Sequence, residues 1–462
     1  MKKKTAVFLL VILMCLLVSC TNDSQGDDLP ENRSSDDANV MPPLSPPTPD
    51  VTPPEAVPAP EVPEEVPGEA PDNQPLSPPE AVPSPAPRES QATGDFVHIT
   101  ATELTANIRI GWNLGNTLDA HDGNYGFSWL GGGLYENTTV AEMEAAWVGS
   151  VATRENIDAI HAAGFNAIRI PVTWFKATDN ELNIRQDWME RVQEIVDYAV
   201  DNNMCIILNT HHDEYLIRLL DRYMEDSKHA LVRLWEQIAY VFQDYNEKLV
   251  FEGLNEPRTI GSSAEWSGGT AEERHNLNIL NQLFVDTIRR SGGNNPYRVL
   301  MVPTYAASAA DVAQRALVIP TDSVEDRIIV SLHIYAPWEF ALRTGPVGTV
   351  DTWDASNPRD TRPITDPLDL AYELFVSQGI PVIIGEMGAL NRDNIDARAE
   401  WAEFFVSQAA SRGMPSIWWD NGTAGVTMEH EWGWEETFGL LDRRSNQFVH
   451  PEIIDALMRA TE

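Results

Sequence analysis

Leu249-Val250-Phe251-Glu252-Gly253-Leu254-Asn255-Glu256-Pro257 is an apolar run that closes on an amide, a carboxylate and a proline. It reads as a strand over 249–254, and Pro257 cannot continue it. Seven other short apolar runs read the same way: 108–114, 167–171, 205–209, 299–302, 328–332, 382–385 and 416–419. Helical periodicity fills the gaps, over 152–163, 187–202, 230–245, 272–291, 366–378 and 397–411, with a last helix over 451–460. The fifth unit is the thinnest, and 306–316 must supply its helix. Eight strand-then-helix units within 95–462 predict an α/β fold, the (β/α)8 barrel. A doubly wound open sheet is the alternative, but no G-x-G-x-x-G follows an early strand.

In a barrel of this kind the chemistry sits at the C-terminal ends of the strands. Here those ends are polar or aromatic. Strand 1 runs into Asn113 and Asn116, strand 2 holds Arg169, and strand 3 ends at His211 and His212. Strand 4 ends at Asn255 and Glu256, and strand 6 runs into His333 and Tyr335. Strand 7 ends at Glu386, and strand 8 at Trp418, Trp419 and Asp420. Each has a bland explanation alone: a buried ion pair for the arginine, packing for the histidines, a turn for Asn-Glu-Pro. Together they place carboxylates, imidazoles, a guanidinium and aromatic rings at one mouth.

Two carboxylates at facing strand ends suit cleavage of a glycosidic bond. Glu256 fits the proton donor, which then needs a raised pKa. Asn255 beside it is placed to hold a sugar 2-hydroxyl. Glu386 fits the nucleophile, with Arg169 favouring its charged form and Tyr335 donating to it. The histidines are candidates for sugar hydroxyls, and Trp419 offers a face to a pyranose ring.

At this point the chain resembles glycoside hydrolase family 5, and within it most closely the fourth subfamily. The resemblance rests on Gly111-Trp112-Asn113-Leu114-Gly115-Asn116-Thr117-Leu118-Asp119, on Phe165-Asn166-Ala167-Ile168-Arg169-Ile170-Pro171-Val172-Thr173-Trp174 and on His211-His212. It continues through Phe251-Glu252-Gly253-Leu254-Asn255-Glu256-Pro257-Arg258, Ile384-Gly385-Glu386-Met387-Gly388-Ala389 and Trp418-Trp419-Asp420-Asn421-Gly422. It implies a retaining barrel glycosidase with no metal or other cofactor. By motif, Glu256 matches the acid/base and Glu386 the nucleophile. Arg169, His211, Asn255, His333, Tyr335 and Trp419 match the remaining active-site positions, and Asn116 and His212 match sugar-binding ones. Met387 departs from the pattern, where relatives often carry Phe.

The resemblance also implies a β-1,4-glucan substrate: cellulose-type, mixed-linkage or xyloglucan. Aromatic residues in the expected mouth loops are Trp129, Tyr135, Trp266, Trp338, Trp353, Trp432 and Trp434. Faces of this kind along an open groove fit attack within a chain. Gly131-Gly132-Gly133 is a place where the cleft could widen for branches. The rival readings are a mannanase or xylanase on the same machinery, a non-catalytic glycan-binding lipoprotein, and a metal-dependent hydrolase at His211 and His212.

Before the barrel, residues 1–19 read as an export leader. Lys2, Lys3 and Lys4 precede an apolar stretch too short for a comfortable membrane span. Leu17-Val18-Ser19-Cys20 looks like a bacterial lipobox, which implies a lipid on Cys20 and a chain held at the cell envelope with its catalytic domain facing outward. Residues 20–94 read as a disordered linker: 18 of the 32 prolines lie between Pro42 and Pro87, mixed with acids and without aromatics. Extended as polyproline II it would reach roughly 200 Å at most. The net charge of −38 argues against nucleic acid as a partner and does not oppose a neutral polymer. Cys15, Cys20 and Cys205 offer no disulfide framework, and Cys205 reads as a small core residue. A monomer is expected.

Overall fold

The computed structural model describes residues 96–121 and 138–462, apart from 346, 428, 431, 432 and 435; at 429, 430, 433 and 434 it describes the backbone alone. The leader, Cys20, the linker, Trp129, the triple glycine, Tyr135 and Trp432 lie outside these residues, as does the side chain of Trp434.

Eight parallel strands close into a barrel in sequence order. They are β1 (Ile110–Leu114), β2 (Ala167–Ile170), β3 (Cys205–Asn209), β4 (Leu249–Glu252), β5 (Leu300–Ser308), β6 (Ile328–His333), β7 (Val382–Met387) and β8 (Ser416–Asp420). All eight expected strands are present. The expected helices are found at Arg154–Ala162, Gln186–Asp201, Met224–Val241, Ala271–Arg290, Pro358–Leu374, Ile395–Ala410 and Pro451–Arg459.

Two expectations need correction. The helix of the fifth unit is only Asp311–Ala316, because β5 continues to Ser308. Ala306 and Ala307 take left-handed backbone (φ 53° and 47°), the register against β6 shifts between Pro303 and Ser308, and the Ala306 N–H donates to the Pro257 carbonyl. The helix expected from 366 begins at Pro358, which stands in the first turn, where a missing N–H costs nothing. Pro363 and Pro367 sit inside this helix.

Strand alternation divides the barrel interior into two halves. Inward residues near the N-terminal ends are apolar: Ala167, Cys205, Ile207, Val250, Met301, Ile329, Ile383 and Ile417 pack together. The helix Ala101–Asn107 caps this end with Ala101 and Leu104, and its own start is fixed by a Thr100/Glu103 capping box. One step of two residues further along, the inward positions become Asn113, Arg169, Asn209, Glu252 and Ser331, all fully buried. Outward residues such as Ile168, Leu208, Phe251 and Trp418 join the larger core under the helices. The same alternation aims Trp418 outward and Trp419 inward.

Gly253 is the joint between β4 and the Asn255-Glu256 pair. Its carbonyl accepts from Thr210 Oγ1 (2.8 Å) and Trp235 Nε1 (3.0 Å). A Cβ there would stand 2.6 Å from Phe284 in the helix Ala271–Arg290. Gly253→Ala is therefore expected to destabilise the fold by about 1–3 kcal/mol through overpacking. Gly425→Ala, where a Cβ meets nothing within 4 Å, is expected to leave the thermal midpoint nearly unchanged. Calorimetry of the two variants compares them directly.

Candidate active site

The polar half of the interior is organised around Arg169. Its Nε donates to Glu252 (2.7 Å), Nη1 to Glu386 (2.8 Å) and to Asn113 (3.0 Å), and Nη2 to Asn255 (2.6 Å). Glu252 also accepts from Asn209 (3.1 Å) and Ser331 (2.7 Å). Asn113 passes its own amide N–H to the Gly385 carbonyl (2.9 Å), one residue before Glu386. Burial works against the charge on Arg169, but Glu252 and Glu386 more than offset it and hold its pKa above the ordinary value. Arg169 is fully buried beneath the cleft. It reaches the cleft through its bonds to Glu386 and Asn255.

Above it opens a cleft of about 940 Å³. Every other site residue singled out in the sequence lines this cleft: Asn116, His211, His212, Asn255, Glu256, His333, Tyr335, Glu386 and Trp419. Glu386 receives Tyr335 Oη at 2.9 Å on the oxygen not used by Arg169. Glu256 meets His333 Nδ1 at 2.7 Å and Arg258 at 3.6 Å. One oxygen of each carboxylate and a ring nitrogen of His333 lie within 4.8 Å of one another. A one-residue slip between β6 and β7 makes this possible, pairing His333 with Glu386 and leaving Gly385 as the extra residue. A Cβ on Gly385 would come within 3.1 Å of the His333 ring.

The electrostatics of the pair depart from the sequence expectation. Burial pushes the Glu256 carboxyl up, but the hydrogen bond and charge of His333, with Arg258 and Arg169, outweigh it and hold the group below its ordinary value. At Glu386 burial prevails over His333, Arg169 and Tyr335, and the neighbouring Glu256 charge adds to it, so this group is raised. Two carboxyls this close titrate as one system. The proton shared by the pair therefore leans toward Glu386, where the sequence placed it on Glu256. Tyr335 is held well above its usual range by burial and by Glu386, so its hydroxyl stays a donor.

The aromatic walls are sorted by the fold. Trp266 is 67% exposed with the Arg258 guanidinium over its ring, and Trp338 is 50% exposed with Arg343 over its ring; both line the cleft. Trp353 does not: it is 5% exposed and packs on Phe404, 5.1 Å between centroids, because its loop folds back on the outer helices. Trp147 lines the cleft beside His121 and His212 and was not foreseen. Its segment carries no motif, so only tertiary contacts reveal it. Asp119, Asn209, Glu252 and Ser331 were likewise missed as site residues. The inward alternation of their strands was the available signal for the last three.

Residues 134–425 match a family model described as Cellulase (glycosyl hydrolase family 5). The chain is 40% identical over 362 residues to Endoglucanase A of Clostridium longisporum, covering 78% of this chain and 66% of that protein's length. Among solved structures it is similar to a GH5-4 broad specificity endoglucanase from Ruminococcus champanellensis with bound cellotriose, at 40% identity and TM-score 0.72, covering 79% of this chain and all of that one. It is also similar to a GH5 family lichenase from Caldicellulosiruptor sp. F32, at 38% identity and TM-score 0.71, covering 81% of this chain and 99% of that one.

Behind the cleft, Asp213 accepts from the Trp174 and Phe175 N–H groups at 3.0 and 2.8 Å. Burial raises it from 3.8 to about 7. The folded chain then binds a proton that the unfolded chain has already lost, so stability falls as pH rises from about 4 to about 7. Asp213→Asn is expected to flatten that slope. Urea midpoints of both proteins across the window test it.

Proposed function

The chain belongs to glycoside hydrolase family 5, and from that premise we propose a retaining endo-β-1,4-glucanase with Glu256 as acid/base and Glu386 as nucleophile. The observation that carries the mechanism is the spacing of the two carboxylates. Oxygens within 4.8 Å leave no room for a water between carboxyl and sugar, as inversion requires, and suit direct attack.

In the first half of the cycle a Glu386 oxygen bonds to the anomeric carbon, and the glycosidic C–O bond breaks. Glu256 gives its proton to the departing oxygen. In the second half Glu256 takes a proton from water, and the resulting hydroxide oxygen displaces Glu386 with configuration retained. Arg169 and Tyr335 keep their bonds to Glu386 and orient it. His333 can hold Glu256 with the proton on either partner, which suits a group that must both give and take it. A bound sugar brings the leaving oxygen to Glu256 and so moves the shared proton toward it. The cycle draws on side chains alone.

The substrate reading is a β-glucan. One relative is described with cellotriose bound and another as a lichenase. The open cleft with Trp147, Trp266, Trp338 and Trp419 on its walls suits several sugars in a row, hence internal cleavage. Mannan and xylan remain the competing substrates, and a binding-only protein would have no use for two supported carboxylates. We further propose that residues 1–19 are a cleaved leader, that Cys20 carries a lipid, and that 20–94 tether a monomeric catalytic domain of residues 95–462 to the cell envelope, facing outward.

Purified protein is expected to thin solutions of carboxymethylcellulose, mixed-linkage glucan or xyloglucan faster than reducing ends appear. Glu386→Gln is expected to lower turnover by about three orders of magnitude or more while still binding oligosaccharide. Full activity in that variant, or α-anomer as first product by proton NMR, would overturn the roles. Cys20→Ala is expected to move the protein from the membrane to the soluble fraction of the producing cell.

A further inference from the structure

We propose that Asn209 fixes the tautomer of His211, so that this ring turns Nε2–H into the cleft as a donor to the sugar. The inference rests on the glycosidase reading for its kinetic consequence but not for its chemistry.

One group beside Asn209 has no choice of role. The Val172 backbone N–H can only donate, and it meets Asn209 Oδ1 at 3.1 Å. The Asn209 amide is thereby oriented, and its Nδ2 faces two partners: Glu252 Oε2 at 3.1 Å and His211 Nδ1 at 3.2 Å. An amide NH2 has two hydrogens, and both are spoken for. His211 Nδ1 must then be the bare nitrogen, and the ring proton sits on Nε2.

The other end of the ring pulls the opposite way, but there the conflict can be relieved. Asn255 Oδ1 is held by Arg169 Nη2 at 2.6 Å, so Asn255 Nδ2 is turned toward His211 Nε2, 3.4 Å away. With the proton on Nε2, two donors face each other there. With the proton on Nδ1, two donors face each other at 3.2 Å instead, against Asn209. The sites differ in what can relieve them. Asn209 is fully buried, and nothing can come between it and the ring. His211 and Asn255 line the cleft, where one hydroxyl oxygen can accept from both. Asp119 Oδ2, at 3.9 Å, is too distant to claim the Nε2–H. Burial, with His212 and Arg169 nearby, holds His211 well below its usual pKa, consistent with a neutral ring. Stacking on Trp419 at 5.7 Å and 5° fixes its plane. Asn209 is thus a positioning residue: it never touches the sugar, and it decides which nitrogen does.

Asn209→Asp is the informative variant. A carboxyl carries at most one proton, and Glu252 would claim it. The oxygen turned to His211 becomes an acceptor whichever carboxyl holds that proton, so Nδ1 takes the ring proton and Nε2 is left bare. The test is long-range 1H–15N NMR of histidine-labelled protein, with His211 identified by its loss in His211→Gln. The expected result is bare Nδ1 and protonated Nε2 in the parent protein, and the reverse in Asn209→Asp. The variant's kcat on β-glucan is expected to fall about 100-fold, the cost of one lost transition-state hydrogen bond, with KM changed much less. A parent ring protonated at Nδ1 overturns the proposal, even if the variant does not fold. So does a reversed tautomer with full activity. The spectrum needs no substrate, so a parent protein with the expected tautomer and no activity on any glucan would count against the glycosidase reading and leave the Asn209 assignment standing.

Discussion

A guanidinium buried in the middle of a barrel is the constraint that the rest of the site obeys. Taking such a charge out of water costs several kcal/mol unless its donors are matched by well-placed acceptors. Arg169 finds them on three strands: Asn113 on β1, Glu252 and Asn255 on and just beyond β4, and Glu386 on β7. Three of the acceptors have a second bond: Ser331 donates to Glu252, Tyr335 donates to Glu386, and Asn113 donates to the Gly385 carbonyl. Satisfying the charge and aligning the chemistry are therefore one requirement. A strand that moved would both leave an unpaired donor and misplace a reacting group.

The barrel supports this by changing character along its axis. The lower inward layer is aliphatic and sealed by the helix Ala101–Asn107. In the layer above, Asn113, Arg169, Asn209, Glu252 and Ser331 are polar and fully buried. Only above that does the cleft begin. The order matters, because a polar layer exposed to water would weaken each hydrogen bond it makes, while an aliphatic one would leave Glu386 without donors. The Gly385 irregularity then lifts the end of β7 so that Glu386 stands beside His333.

Much of this was legible in the sequence, and the failures have physical causes. Every strand was found, because buried parallel strands read as short apolar runs. The C-terminal polar endings located the mouth. The helix Pro358–Leu374 starts before the expected 366, and Pro363 stands in the part that was not foreseen. The end of β5 was misread because two alanines in left-handed backbone leave no trace in composition. Trp353 and Trp266 are alike in sequence, each in a loop after a strand, and only packing separates the buried one from the exposed one. Arg169 was read as a partner of Glu386, and the structure sets it in the buried layer below the cleft, a depth that a motif does not state.

The deepest layer was hidden for a related reason. Glu252 and Asn209 lie within runs that already explain themselves as strands, so their polarity reads as noise. In three dimensions they are what remains when the apolar alternation of β3 and β4 reaches the level of Arg169. Glu252 answers its charge, and Asn209 divides its amide between Glu252 and His211. The proton on an imidazole facing the cleft is in this way tied, through two side chains, to a guanidinium that no ligand reaches. Orientation at the mouth is inherited from charge balance in the interior.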